Sequence, residues 1–274
     1  MTLLQLVLLA IVQGLTEFLP VSSSAHLILV PWVTGGQDQG PLIDLMAHFG
    51  SLLAVIVYFR KDVLAILSAG IDLLAGRKDN PASRLFLYLV VATPFSLLVG
   101  AVLFLGGYAD ALRNPTIIGV ASIFFGIVLW VSDRFFASRG TVEDRGMSAA
   151  LWIGLAQMLA FIPGTSRSGI TMTAARFLGV GRYEAARFSM LLSIPLLGAM
   201  GSAALLKLLT EDATPGAPGL SEGLLVAALS AITAWIAIYL LMKLVEKIGF
   251  TPFVLYRIVL GLAILWWMGG VDIS

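Results

Sequence analysis

The sequence contains no cysteine and only two histidines, His26 and His48. Without cysteine there are no disulfides and no thiolate metal sites. Two imidazoles alone do not build a structural zinc cage. Charge is scarce too. Only 12% of the 274 residues are charged and 59% are hydrophobic, whereas a soluble domain carries about 25% charged residues. So little charge does not cover a water-facing surface of this size, and a lipid-facing surface removes the difficulty. The net charge of +1 excludes the basic excess of a nucleic-acid footprint, so no nucleic-acid partner is expected. The start, Met1-Thr-Leu-Leu-Gln5, has no basic n-region. That argues against a cleaved signal peptide, and the apolar start reads as part of the mature fold.

What is present is a series of long apolar runs. Six are suited to crossing a bilayer: Ile43–Phe59, Leu85–Gly107, Thr116–Val131, Ala185–Leu209, Gly223–Met242 and Phe253–Gly269. A span needs about 20 residues. Asp62–Ala75 is shorter and interrupted by Gly70 and Asp72, and reads as an interfacial helix. Leu151–Ile162 and Ile170–Gly179 are too short to span, and Pro163-Gly-Thr-Ser-Arg-Ser-Gly169 lies between them. They predict a re-entrant hairpin that turns at depth and leaves on the side it entered. Thr2–Leu19 and Ala25–Trp32, separated by Pro20-Val-Ser-Ser-Ser24, predict a second hairpin, although Thr2–Leu19 alone is long enough to span.

The two breaks align, Gln13 over Gln157 and Pro20 over Pro163 with one gap, and each is followed by three candidate spans. A repeat with an odd number of spans is inverted across the membrane. The expected architecture is an all-α polytopic membrane protein of six transmembrane helices plus two re-entrant helical hairpins, related by an inverted-topology internal repeat. It forms a single membrane domain, residues 1–274, with repeat 1 over about 1–132 and repeat 2 over about 147–274. Basic residues test this arrangement. Arg60, Lys61, Arg77, Lys78 and Arg84 fall in one connection, Arg134, Arg139 and Arg145 in another, and Lys243 and Lys247 follow the fifth span. The intervening connections hold Arg113 alone, or Glu211 and Asp212 with no basic residue. The alternation puts both termini outside and inserts the hairpins from opposite sides, so that their tips meet. Arg176, Arg182 and Arg187 at the exit of the second hairpin read as topology anchors.

The breaks carry the candidate chemistry. Hydroxyls after a proline cap a following helix, whose first N–H groups have no intrahelical partner. Such an N-terminus favours anions, and two facing each other suit a diphosphate. Ser22, Ser24, Thr165, Ser166 and Ser168 are the candidate phosphate-binding hydroxyls; capping alone is the competing reading for Ser22 and Ser24. Arg167 adds a planar fork for phosphate oxygens. At membrane depth it requires a partner, either an anionic substrate or Glu17, and a purely structural Glu17–Arg167 pair is the plainer alternative. Gln13 and Glu17 share a helix face. A carboxylate there suits a divalent cation, with Gln13 nearby. Ser23 and His26 share the next face, and His26 is a candidate base or nucleophile. His48 follows Asp44 by one turn, which reads either as support behind the site or as helix packing.

Gly14-Leu-Thr-Glu-Phe-Leu-Pro-Val-Ser-Ser-Ser-Ala-His26 and Pro163-Gly-Thr-Ser-Arg-Ser-Gly169 resemble the two motifs of the bacterial undecaprenyl-diphosphate phosphatases, the bacitracin-resistance family. Phe49-Gly-Ser-Leu-Leu-Ala-Val55 and Phe188-Ser-Met-Leu-Leu-Ser-Ile-Pro195 follow in the expected order, so the resemblance covers essentially the whole chain. It implies a hydrolase of the bacterial plasma (inner) membrane. The enzyme would convert undecaprenyl diphosphate to undecaprenyl phosphate and phosphate, recycling the lipid carrier of peptidoglycan synthesis and conferring bacitracin resistance. It implies a divalent cation, Mg²⁺ or Ca²⁺, a polyprenyl diphosphate lipid as substrate, and a site open to the outer (periplasmic) side. The functional residues it carries over are Glu17, Ser23, His26, Ser166 and Arg167. Where some members have a second glutamate, this sequence has Gln13, so Glu17 is the sole acidic ligand from that helix. The nucleophile is either Ser23, activated by His26, or a water activated by Glu17 or His26. A flippase of undecaprenyl phosphate would use the same phosphate site and is the rival reading. The membrane-facing surface also leaves room for a homodimer contact.

Overall fold

The computed structural model describes residues 2–34, 40–77, 80–106, 114–136, 139–210 and 219–270. These residues form helices α1 (Leu3–Glu17), α2 (Ser23–Thr34), α3 (Gly40–Tyr58), α4 (Arg60–Leu74), α5 (Ser83–Leu105) and α6 (Pro115–Phe135), then α7 (Val142–Arg145), α8 (Met147–Gln157), α9 (Arg167–Phe177), α10 (Arg182–Thr210), α11 (Leu220–Ile248) and α12 (Thr251–Gly270). A 3-10 turn, Met158–Phe161, extends α8. No β-strand occurs among the described residues.

The protein is an all-α polytopic membrane protein. Helices α5, α6, α10, α11 and α12 are each long and apolar enough to span; α3 meets that test only together with α4, from which it is bent by 86°. At about 1.5 Å per residue, the 19 residues of α3 nearly match the hydrocarbon thickness. The bend at Phe59 then turns α4 aside, as expected of an interfacial helix, with Leu64, Leu67, Ile71 and Leu74 exposed. Leu98, Phe124, Leu255, Val259 and Trp266 also face outward, and lipid satisfies such a surface.

Local sequence sets the helix ends. Thr2 and Gln5 form a capping box that starts α1, and Asn114 caps α6 with Pro115 in its first turn. Close packing then depends on missing side chains. A Cβ on Gly14 of α1 would stand 2.5 Å from the Ser230 carbonyl of α11, and one on Gly154 of α8 2.4 Å from the Ala92 carbonyl of α5. Small residues let membrane helices approach this closely. Hydrogen bonds reinforce both contacts: Ser230 Oγ donates to the Ala10 carbonyl (3.0 Å), and Gln157 Nε2 donates to Ser96 Oγ (2.6 Å). Each short first limb thus docks on a long helix from the other half of the chain.

Ion pairs gather the basic connections at one end. Asp133 at the end of α6 meets Arg176 (3.2 Å) and Arg182 (2.8 Å), Asp62 pairs with Arg187, and Glu246 accepts from the Tyr183 backbone N–H (2.7 Å). An isolated bridge between Gly140 and Val180 ties the entry of α8 to the exit of α9 at that same end. The second hairpin therefore leaves where it enters. At the other end Leu6, Leu9, Leu27, Ile43 and Val226 pack together, which joins both limbs of the first hairpin to the start of α3. The two hairpins approach from opposite ends of the bundle.

Candidate functional site

The hairpin tips meet in the interior. Ser168 Oγ donates to the Leu19 carbonyl at 3.0 Å, tying one break to the other. Both breaks adopt the same unusual backbone: Ser22 has φ 74° and Ser166 has φ 71°. A non-glycine residue held there costs roughly 1–3 kcal/mol and persists only where its surroundings impose it. In each break the serine of positive φ meets the serine two residues on, Ser22 with Ser24 at 3.2 Å and Ser166 with Ser168 at 3.1 Å. The structural register is thus Ser22 with Ser166, which needs no gap back to Gln13 and Gln157. Aligning proline with proline shifts the serines by one position.

A cavity of about 140 Å³ lies between the tips. Glu17, Ser22, Ser23, Ser24, His48, Ser166 and Arg167 line its polar side, and Ala160, Phe161, Leu196, Leu197 and Met200 its apolar side. Glu17 is the hub. Its Oε2 accepts from Ser23 Oγ (2.7 Å) and Gln13 Nε2 (2.8 Å), and stands 3.5 Å from His48 Nε2. Its Oε1 accepts from Arg167 NH2 at 3.1 Å. Arg167 also donates to the Ser189 carbonyl (3.1 Å) and lies over the Phe18 ring (5.8 Å). Both members of the ion pair are nearly sealed, with side-chain exposures of 5% and 10%. Attraction is strong there, and so is the cost of an unmet polar group.

Two polar atoms of this cluster remain without a hydrogen-bond partner, Gln13 Oε1 and Arg167 Nε. The first is an acceptor and suits a cation; the second is a donor and suits an anion. Among the described residues no cluster of three or more acidic or histidine side chains forms a cage for a metal. The Glu17 carboxylate and the oxygens of Gln13 and Ser23 are hard donors of the chemical type that a divalent cation takes. Hard cations of this kind are often held by one or two carboxylates, with substrate phosphates completing the shell.

The other expected residues divide. Ser22, Ser23, Ser24 and Ser166 reach the cavity; Ser166 also caps α9 by accepting from the Gly169 N–H at 3.1 Å. Thr165 and Ser168 are fully buried behind it. His48 enters the cluster, oriented by donation from Nδ1 to the Asp44 backbone carbonyl (2.7 Å). His26 is not in the cavity lining. Its Nδ1 meets the Ser22 carbonyl (2.7 Å), its Nε2 meets the Tyr256 hydroxyl (2.5 Å), and its ring stacks on Tyr256. The hydroxyl of Ser23 is turned to Glu17 rather than to His26. Sequence reasoning missed Ser189, Tyr256 and Arg257. Arg257 had a signal, since it is a lone arginine within an apolar span.

The chain is similar to known proteins over nearly its whole length. The family model described as bacitracin resistance protein BacA matches residues 6–263. A protein of Maricaulis maris named undecaprenyl-diphosphatase is 52% identical over 265 residues, covering 97% of this chain and 98% of that protein. Proteins of the same name from Ruegeria pomeroyi and a Jannaschia species are 46% and 44% identical, each covering 97% of this chain and 98% of the relative. A match of this extent, with both motifs brought to one cavity, makes the chain a member of the bacitracin resistance protein BacA family.

Proposed function

We propose that the protein hydrolyses undecaprenyl diphosphate to undecaprenyl phosphate and inorganic phosphate. The observation that carries this reading is the Glu17–Arg167 pair across the two tips, with an unpaired donor on the arginine and an unpaired acceptor on Gln13 beside it. The arginine fork, the Ser166 hydroxyl and the N-termini of α2 and α9 bind the diphosphate. The apolar wall of Phe161, Leu196, Leu197 and Met200 accommodates the first isoprene units of the tail. The relatives' shared name supports the substrate class.

Ser23 is the nucleophile in this reading. Its hydroxyl already donates to Glu17, which takes the proton as Ser23 Oγ attacks the terminal phosphorus. The bond from that phosphorus to the bridging oxygen breaks and undecaprenyl phosphate leaves; water then releases phosphate from the serine. His48 orients Glu17, and Arg167 stabilises charge on the transferring group, where phosphoryl transfer gains most of its acceleration. Glu17, Gln13 and Ser23 would hold a divalent cation, Mg²⁺ or Ca²⁺. When bound, that ion neutralises part of the diphosphate charge. The protein acts in the bacterial plasma membrane, with both termini and the cavity mouth toward the outer side, an orientation supported by the basic connections at the opposite end.

The test is phosphate release from undecaprenyl diphosphate by purified protein in detergent, with and without Mg²⁺ or Ca²⁺, against Glu17→Gln. Metal-dependent release by the wild type and its loss in the variant are expected. A carrier alone releases no phosphate in detergent, where there is no second leaflet, so an inert wild type would sink the hydrolase.

A further inference from the structure

Arg257 is the largest fully buried side chain among the described residues, and it lies within the membrane span α12. All four acceptors of its recorded hydrogen bonds are backbone carbonyls. Nε donates to Ser122 of α6 (3.2 Å), NH1 to Pro20 (3.5 Å), and NH2 to both Gly164 and Thr165 (2.8 Å each). The acceptors therefore come from three separated segments, including both breaks. Pro20 lies between Glu17 and Ser23, and Thr165 lies two residues before Arg167.

The breaks need such a donor. Where a helix is interrupted at membrane depth, its carbonyls lose their intrahelical partners and no water replaces them. The guanidinium is a rigid fork of five N–H groups, which can serve carbonyls approaching from several directions. Lysine carries its donors on one nitrogen and cannot span the same set. The surroundings leave room for the fork: a Cβ on Gly169, in the first turn of α9, would stand 2.9 Å from Arg257 NH1.

We propose that Arg257 is a positioning residue for the reaction. It fixes the two breaks in register, so that Glu17 and Ser23 from one hairpin face Arg167 from the other across one cavity. The inference rests on the phosphatase reading above. It also separates Arg257 from Arg167: the two are buried arginines on opposite sides of the break after Pro163, one turned to the cavity and a carboxylate, the other to the backbone.

The experiment compares wild type, Arg257→Lys, Arg257→Gln, Gly169→Ala and Ser166→Ala in detergent. Monodispersity, melting temperature, kcat and KM for undecaprenyl diphosphate are recorded, together with the melting shift produced by methylenediphosphonate. A displacement of the catalytic groups by about 1 Å costs about 10²-fold in rate. A loss of that order in kcat is expected for Arg257→Lys in folded protein, with KM changed less and no better activity than Arg257→Gln. The diphosphonate shift should fall in both. Wild-type kcat in a folded Arg257→Lys would overturn the proposal, as would losses that only track the unfolded fraction. If both arginine variants fail to fold, Gly169→Ala decides, its methyl standing 2.9 Å from Arg257 NH1 and 3.1 Å from Ser166 Cβ: a kcat loss in folded protein larger than that of Ser166→Ala supports the clamp, and a loss no larger, or wild-type kcat, overturns it. A wild type that releases no phosphate would sink the phosphatase reading instead. The clamp is then judged by the diphosphonate shift alone, supported if lost in Arg257→Lys and overturned if equal to wild type.

Discussion

The two re-entrant hairpins share one backbone plan and divide the chemistry between them. Gln13 and Gln157 hold equivalent places, each donating through Nε2 and each leaving Oε1 without a partner. Ser22 and Ser166 carry the same positive φ, and Ser24 and Ser168 answer them in the same way. Counting outward from the paired serines, Glu17 stands opposite Phe161, Ser23 opposite Arg167 and His26 opposite Ile170. The shared positions shape the turn, and the unlike positions carry the acid, the hydroxyl and the arginine. A symmetric pair would put two glutamates, or two arginines, side by side against one small cavity, largely screened from water, where like charges repel strongly. Divergence at these positions turns a repeated scaffold into a complementary site.

The comparison is most directly broken at its unlike positions. Arg167→Ala should lower kcat/KM by about 10³-fold or more, the scale of losing an arginine that stabilises a transferring phosphoryl group. It also leaves Glu17 buried without its partner, so the melting temperature belongs beside the rate. Near-normal hydrolysis in folded Arg167→Ala would show that the second hairpin does not grip the phosphate. Ser23→Ala should cost about 10²-fold or more if the hydroxyl attacks, since nucleophile and base act as a unit. Retained turnover would give the attack to water and leave Glu17 as its base. The shared positions should respond alike. Gly14→Ala and Gly154→Ala both drive a methyl into the backbone of a docking helix, and overpacking of this kind costs about 1–3 kcal/mol. Lowered melting temperatures in both are expected, and a drop confined to one would show that the hairpins are docked unequally. Tyr256→Phe should have the smallest effect, a loss of about 10-fold or less, because it removes one hydrogen bond from His26, outside the cavity lining. A larger loss would return His26 to the chemistry.

Much of this plan was legible in the chain. Long apolar runs have to become helices, because lipid offers no partner for backbone polar groups, and five of the six expected spans meet the length test alone. Short limbs around a proline and several hydroxyls have to turn back. The pairing of Glu17 with Arg167 was also foreseeable, since isolated charges at membrane depth need partners. The register of the repeat was not, because prolines mark where a helix breaks but not which residue takes the strained φ. The histidines changed standing for a related reason. Helical periodicity puts Ser23 and His26 on one face, but a face is broad, and Tyr256 from the far end of the chain engages the imidazole.

The two Ser/Thr-rich breaks, their membrane depth and their sorting into opposite orientations follow from the sequence by itself, through hydropathy, limb length and the placement of basic residues. Tertiary structure alone decided which groups share the cavity. It brought His48 to Glu17, turned Ser23 to the same carboxylate, drew His26 to Tyr256 and set Arg257 against the carbonyls of both tips. The physical reason is that such contacts join residues far apart in the chain through directional hydrogen bonds. Their geometry is fixed only when α1 has docked on α11 and α8 on α5, and no local pattern encodes that docking.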